Sequence, residues 1–183
     1  MLRVFGAVTS DTDPGSGDFD GYGNSYSAAA LAAVGITPDA TVSCSGLRFT
    51  WPSSLPGTKD NVAVDGQTVA LFGSGQTLGF LGAAVNTTVT SGPATITYTD
   101  GTTQDFTLSL TGWDQTAPLD GNALAVRTKV RNRTSAGTTA GVNLFCATVA
   151  LTHPGTVAAV TLPVLASGGP HAPAMHLFAV AIG

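Results

Sequence analysis

The chain contains no glutamate and only two lysines, and this constrains its fold more than any other feature. Glutamate and lysine are good helix formers, whereas threonine and valine suit pleated strands. Threonine is abundant here, with 27 copies among the 183 residues, and 23 glycines are available for turns. The composition therefore predicts an all-β fold with turn-rich connections, and the length corresponds to one domain over residues 1–183.

Nine segments have the composition or the alternation of β-strands, and their spacing suits a β-sandwich or jelly roll. They are residues 41–51, 67–72, 77–84, 94–98, 104–110, 124–130, 142–151, 157–162 and 175–182. The segment SYSAAALAAVGITP predicts one short helix over 27–34. Ser25 or Ser27 can cap its start, and Gly35 with Pro38 ends it.

One hairpin is specific enough to predict its register. In ATITYTDGTTQDFTLSL, apolar residues alternate with polar ones on both sides of an Asp-Gly turn. A two-residue loop would pair Ile96 with Asp105 and oppose apolar to polar faces. A three-residue loop that begins one residue earlier, with Gly101 left-handed, places Ala94 opposite Phe106 and matches the faces. We predict the three-residue loop.

The same alternation places Trp113 on the polar face of the second strand, directly before Asp114. An exposed indole beside a carboxylate suits a sugar, because the C–H face of the sugar stacks on the ring and its hydroxyls form hydrogen bonds. The alternative is that Gly112 bends the chain and returns Trp113 to the core. The residues leave both interpretations open.

Charge and hydropathy argue against nucleic-acid and membrane partners. The formal net charge is −4, and the seven basic residues form no long run. Four basic residues alternate at period two and are expected on one strand face: Arg127, Lys129, Arg131 and Arg133. A solvated face or the protection of a sheet edge is the favoured interpretation, and a binding role is the alternative. Prolines and glycines interrupt the uncharged stretch 154–183, which predicts no transmembrane segment. The start MLRVFGAV is too short an apolar run for a signal peptide, so an export signal is expected outside this sequence.

Catalytic motifs are absent from the sequence. No HExxH, CxxC, GxSxG or P-loop spacing occurs, and a glycosidase-type carboxylate pair would have to be two aspartates. His176 is in phase with Phe178, Val180 and Ile182, which predicts a buried strand histidine rather than a general base. We expect no enzymatic activity and no required cofactor.

The opening loop, DTDPGSGDFDGYGN, is the densest polar feature of the chain. It holds the four aspartates of a candidate metal site, Asp11, Asp13, Asp18 and Asp20. Such hard oxygen ligands suit Ca²⁺, although the spacing is not that of an EF-hand. The loop could equally contact a ligand directly, or serve only as a polar entry into the helix.

The two cysteines, Cys44 and Cys146, allow two interpretations. A bridge between them would close a loop of about 100 residues and stabilise the fold by about 4 to 5 kcal/mol in the chain-entropy model. Two buried free thiols fit the sequence equally well.

Five stretches in order along the chain carry a family resemblance: FDGYGNSYSAAALAAVGITPDATV, FTWPSSLPGTKDNV, GFLGAA, ITYTDGTTQDFTLSL and MHLFAVAIG. Together they resemble a non-catalytic β-sandwich module appended to secreted actinobacterial glycoside hydrolases. The resemblance implies a galactose-binding-domain-like sandwich, a glycan as ligand, a covalently attached catalytic domain and a secreted, extracellular location.

These lines combine into the prediction of a carbohydrate-binding module. The competing interpretations are a structural spacer that packs between domains, and a protein-binding adhesin-type domain without sugar affinity. The predicted ligand site lies where the opening loop meets other loops. Its members are Asp18, Asp20, Tyr22, Asn24 and Tyr26, with Trp113 and Asp114 as a second wall.

Overall fold

The structure, a computed structural model, describes residues 6–134, 139–165 and 169–183. In these ranges it has fifteen strands, one α-helix and one 3₁₀ turn, Pro14–Ser16. The helix α1 is Ala28–Ala32. The strands are β1 Val8–Thr9, β2 Asn24–Ser27, β3 Thr41–Cys44, β4 Leu47–Thr50, β5 Val62–Ala63, β6 Thr68–Gly73, β7 Thr77–Val85, β8 Val89–Tyr98, β9 Thr103–Thr111, β10 Ala123–Arg127, β11 Val130–Arg133, β12 Thr139–Ala140, β13 Asn143–Ala150, β14 Val157–Thr161 and β15 Ala174–Ile182.

A five-stranded sheet in the order β10-β13-β7-β15-β5 forms the middle of the molecule. Alternate residues of its central strand β7 enter two different hydrophobic cores. Leu78 and Phe80 pack with residues of the sheet β6-β14-β8-β9. Leu81, Ala83 and Val85 pack with residues of α1, the hairpin β3-β4 and the sheet β1-β2-β11-β12. The predicted all-β sandwich with one short helix is confirmed.

The predicted hairpin register is also confirmed. Strands β8 and β9 pair Ala94 with Phe106 and Thr97 with Thr103, leaving a three-residue loop after Tyr98. Gly101 has φ +86°, in the left-handed region that glycine enters at low cost. The period-two pattern and the turn residue agree, so local sequence was sufficient here.

The helix begins where its cap predicts and is shorter than 27–34. The Ser27 hydroxyl accepts the Ala30 N–H at 3.0 Å and donates to Asp11 Oδ1 at 2.6 Å. The segment just before it is not a loop, because Asn24–Ser27 forms the fully buried strand β2. Helix α1 therefore continues directly from a core strand.

Two predicted strands are each two elements. The segment 41–51 is the hairpin β3-β4, which turns at Ser45 and Gly46, both with positive φ. The segment 124–130 divides into β10 and β11, which belong to different sheets. The four alternating basic residues therefore do not share one strand face, which corrects that expectation.

Cys44, at the end of β3, and Cys146, in β13, form a disulfide with Cα atoms 6.3 Å apart. The bridge decides between the two interpretations of the cysteines. It joins the β3-β4 hairpin to the central sheet, with which the hairpin shares no strand pairing in the described ranges. Within those same ranges, no helix is long and apolar enough to cross a membrane.

Candidate functional site

A polar cleft of about 530 Å³ lies where the opening loop meets three other segments. These segments are the β7-β8 turn, the chain just after β9, and strand β11. The lining residues are Asp20, Tyr22, Asn24, Asn86, Thr87, Thr88, Trp113, Asp114, Gln115, Arg131 and Arg133. Five of the seven predicted ligand residues are thus together, whereas Asp18 and Tyr26 lie outside this cleft.

The opening loop is held by its own aspartates. Asp18 Oδ1 accepts the N–H groups of Gly21 and Gly23 at 2.8 and 3.0 Å. Asp20 Oδ1 accepts the N–H groups of Tyr22 and Asn24 at 2.9 and 3.2 Å. These carboxylates fix the loop conformation, because each satisfies two backbone donors that the turn leaves unpaired.

The structure does not assemble the candidate metal site. Across 6–134, 139–165 and 169–183, no group of three or more His, Cys, Asp or Glu side chains could hold a metal ion. Asp11 lies apart from the loop turn, where its Oδ1 accepts from Ser27 and from Asn132 Nδ2 at 2.6 and 3.0 Å. Asp11 thus has different partners from Asp18 and Asp20, and calcium binding by the four aspartates stays a prediction.

Trp113 is a core residue and not an exposed sugar platform, since it is only 2% exposed. Its ring packs against Phe19 and Tyr26, with centroids 5.0 and 5.2 Å apart. The chain turns inward at Gly112, where a Cβ atom would lie 2.2 Å from the Thr87 carbonyl oxygen. Only glycine permits this approach, so the interpretation in which Gly112 bends the chain is the correct one.

Tyr26, another predicted ligand residue, is buried and does not line the cleft. It has no solvent exposure, and its hydroxyl donates to the Asn143 carbonyl oxygen at 2.8 Å. Burial, with the charge of Asp60 as a smaller cause, raises the pKa of Tyr26 well above its ordinary value. Tyr26 therefore ties β2 to β13 as a neutral core phenol.

Tyr22 takes the place of Trp113 as the accessible aromatic ring of the cleft. It is 58% exposed and stacks on His171 with ring centroids 4.1 Å apart. Asp114, which also lines the cleft, is exposed as well, and its Oδ1 accepts from Gln115 Nε2 at 2.9 Å. An exposed aromatic ring and an exposed carboxylate thus border one cavity, and the ring is that of Tyr22 and not that of Trp113.

Two arginines that were expected on a solvated strand face line this cleft. Arg131 and Arg133 occupy alternate positions of β11, which pairs with β2 beside the opening loop. The guanidinium carbon of Arg131 lies 5.2 Å from the centroid of the Trp113 ring. Their period-two spacing was visible in the sequence, but the neighbours of β11 were not.

Asn24 holds an unpaired polar atom in the cleft wall. Its Nδ2 donates to Asp20 Oδ2 at 2.7 Å, which orients the amide. Its Oδ1 is buried and has no hydrogen-bond partner among the described residues. A buried acceptor without a partner costs about 1–3 kcal/mol. A hydroxyl or water that reached this oxygen from the cleft would remove that cost.

His176 is buried beside the cleft's apolar neighbour, a cavity of about 140 Å³ that it lines with Phe19. Its Nδ1 lies 2.8 Å from Asn61 Oδ1, and Asn61 Nδ2 donates to Asp60. The predicted buried position is confirmed. The prediction that His176, Phe178 and Val180 share one face of the strand is wrong. A register shift between Leu177 and Ala179 places Phe178 and Val180 in different cores.

Acidification should destabilise the protein through His176. Burial lowers the pKa of His176 to about 4, against an ordinary value of about 6.5 in the unfolded chain. Between pH 6.5 and about 4, the folded state binds fewer protons at His176 than the unfolded chain does. The free energy of unfolding is therefore unaffected by this residue above pH 6.5 and decreases as the pH falls to about 4. The loss should reach about 3 kcal/mol, measured by urea unfolding at several pH values.

The variant His176→Gln is the control for this effect. It cannot titrate and can still donate to Asn61, so the difference in unfolding free energy between it and the wild type isolates the imidazole. Burial raises the pKa of Asp60, so Asp60 has the opposite effect on the pH dependence of stability. Because both proteins contain Asp60, its effect cancels in the comparison. Identical pH profiles for the two proteins would contradict the assignment.

The fold and cleft define the class of this protein: a β-sandwich domain, cross-linked by a disulfide, with a polar cleft formed by loops and an edge sheet. The chain belongs to the family described as the AziU2-like beta-sandwich domain, whose model matches residues 6–163. The match covers the cleft, both cysteines and most of the two cores. No curated protein matches the chain.

Proposed function

We propose that this domain is a non-catalytic carbohydrate-binding module and that the Tyr22–Asp114 cleft holds the glycan. The observation that carries the proposal is the combination of groups in one open cavity. Tyr22 offers an exposed ring at the rim, and the walls offer carboxylate, amide, hydroxyl and guanidinium groups. A sugar needs this mixture, since each hydroxyl both donates and accepts and its C–H face is apolar.

The cleft's carboxylates favour binding over hydrolysis. Glycoside hydrolysis uses two carboxyl groups facing the scissile bond, one of them donating a proton. Asp20 is buried, and its two oxygens accept three hydrogen bonds from Tyr22 and Asn24. Asp114 is then the remaining carboxylate of the cleft lining that faces solvent.

The Cys44–Cys146 disulfide supports an extracellular location, because such bridges persist in oxidising compartments. A module of this kind would serve a covalently attached glycoside hydrolase by keeping it on its substrate. Weak affinity at a single site is sufficient for that role, because attachment makes the second contact intramolecular.

Affinity electrophoresis and a glycan array test the proposal. Tyr22→Ala and Asp114→Ala should each weaken retention by about tenfold, the effect of losing an aromatic platform or a charged hydrogen-bond acceptor. Neither change should unfold the domain, because both side chains are exposed.

Phe72→Ala is the matched control. Phe72 is 84% exposed on β6 and does not line the cleft, so its removal should leave retention unchanged. If Tyr22→Ala, Asp114→Ala and Phe72→Ala were all retained as strongly as the wild type, the glycan site would lie outside this cleft. No retention of any glycan by the wild type would reject the carbohydrate proposal and favour the structural spacer.

A further inference from the structure

We infer that the cleft selects acidic glycans, whose anionic group, the carboxylate of a uronic acid or a sulfate ester, pairs with Arg133. This inference rests on the proposed carbohydrate function and narrows it to one class of ligand. It follows from the positions of the charged groups in the cleft and from the hydrogen bonds that Asp20 and Arg133 form or lack.

The cleft lining holds two carboxylates, those of buried Asp20 and exposed Asp114. Asp20 accepts three hydrogen bonds, including one from the Asn24 side chain, and is only 6% exposed. The salt bridge between His153 and Asp100 lies in the β8-β9 hairpin region, outside the cleft lining. Neither oxygen of Asp20 is therefore bonded to Arg133.

Arg133 carries an uncompensated positive charge. It is exposed, and within the described ranges its side chain forms no hydrogen bond or salt bridge. The remaining segments, residues 1–5, 135–138 and 166–168, contain no aspartate or glutamate that could supply a partner. The guanidinium is thus a free five-donor group at the wall of a polar cavity.

Arg131 supplies a second cation on the same side of β11. Alternate residues of a strand point to one face and lie about 7 Å apart along it. The Arg131 guanidinium rests over the Trp113 ring at 5.2 Å, a cation–π contact that restrains its position. The planar fork of arginine matches a carboxylate and also binds sulfate oxygens, which makes this face suited to an anionic substituent.

Asn24 adds an acceptor next to this cation. Asn24 and Arg133 are Cα partners in the β2-β11 pairing, and the Asn24 Oδ1 atom has no hydrogen-bond partner among the residues that the structure describes. A uronic acid places a hydroxyl beside its carboxylate. An acceptor beside a guanidinium is complementary to that pair, whereas a neutral sugar would leave the guanidinium unmatched.

The test uses oligosaccharides of galacturonic, glucuronic and mannuronic acid, each compared with its methyl ester by isothermal titration calorimetry. The ester keeps the stereochemistry and removes the charge. At least one free acid should bind about tenfold to a hundredfold more tightly than its ester, the range expected for one charge-assisted hydrogen-bonded pair. The preference should shrink as salt is added, because the pair is exposed. Dextran sulfate compared with dextran distinguishes the sulfate source from the carboxylate source.

Arg133→Gln should abolish the preference for acid over ester while retaining the fold. Arg48→Gln, an exposed arginine of β4 outside the cleft, should leave it intact. Equal affinity for every acid and its ester, together with equal affinity for dextran sulfate and dextran, would overturn the inference. A preference for the charged ligand that survives in Arg133→Gln would also overturn it. Binding of neutral glycans alone would overturn it and leave the carbohydrate function standing. Binding of no glycan would reject both.

Discussion

Replacing both Cys44 and Cys146 by alanine is expected to lower the free energy of unfolding by about 4 to 5 kcal/mol. The bridge spans 102 residues, and a cross-link of that length removes much of the conformational freedom of the unfolded chain. It is also the covalent connection between the β3-β4 hairpin and β13. Urea unfolding of the double variant and the wild type measures the difference.

Reductant provides the control for the cysteine variant. Wild type unfolded in dithiothreitol should match the double variant, and dithiothreitol should not change the double variant itself. A loss below about 1 kcal/mol would contradict the loop-entropy account. In the loop-entropy model, a cross-link that closes so long a loop stabilises the folded state by more than this.

Trp113→Ala should cost about 3 to 5 kcal/mol of stability, the usual range for removing a large aromatic side chain from a core. The indole fills the space between Phe19 and Tyr26, and Arg131 lies over its face. Its loss would leave a cavity in the core that joins β2 to the central sheet. Chemical denaturation measures the cost.

The neighbouring residue makes this prediction specific. Asp114→Ala changes an exposed side chain one position later and should alter stability by less than about 0.5 kcal/mol. The stability loss of Trp113→Phe should lie between those of Trp113→Ala and Asp114→Ala, because phenylalanine keeps part of the ring contact. A Trp113→Ala protein as stable as the wild type would place the indole at the surface, where the alternation of β9 alone predicts it.

The sequence could predict features that depend on neighbouring residues. The register of β8 and β9 follows from two alternating runs and one glycine with positive φ, all within a span of seventeen residues. The start of α1 follows from the Ser27 cap. Such features need no knowledge of distant chain segments, because side-chain period and turn conformation are local properties.

Two differences from the predicted strands have causes of different range, one local and one tertiary. The Ser45-Gly46 pair, a common turn sequence, divides 41–51 into a hairpin and was visible in the sequence. The register shift in β15 was not visible, because a bulge depends on how the strand fits both of its partners. One shifted residue reverses every later side chain between the two faces.

The cleft was predicted in part, since Asp20, Tyr22, Asn24 and Asp114 are polar or aromatic residues in turn-rich segments. Its arginines and the position of the tryptophan were decided only by tertiary structure. Strand β11 contributes Arg131 and Arg133 because it pairs with β2, more than a hundred residues away in the chain. Trp113 turns inward because Gly112 packs against the β7-β8 turn. Composition and alternation determine which residues suit a strand or a turn. Which strands become neighbours, and which charges therefore meet, depends on the packing of the whole chain around two cores.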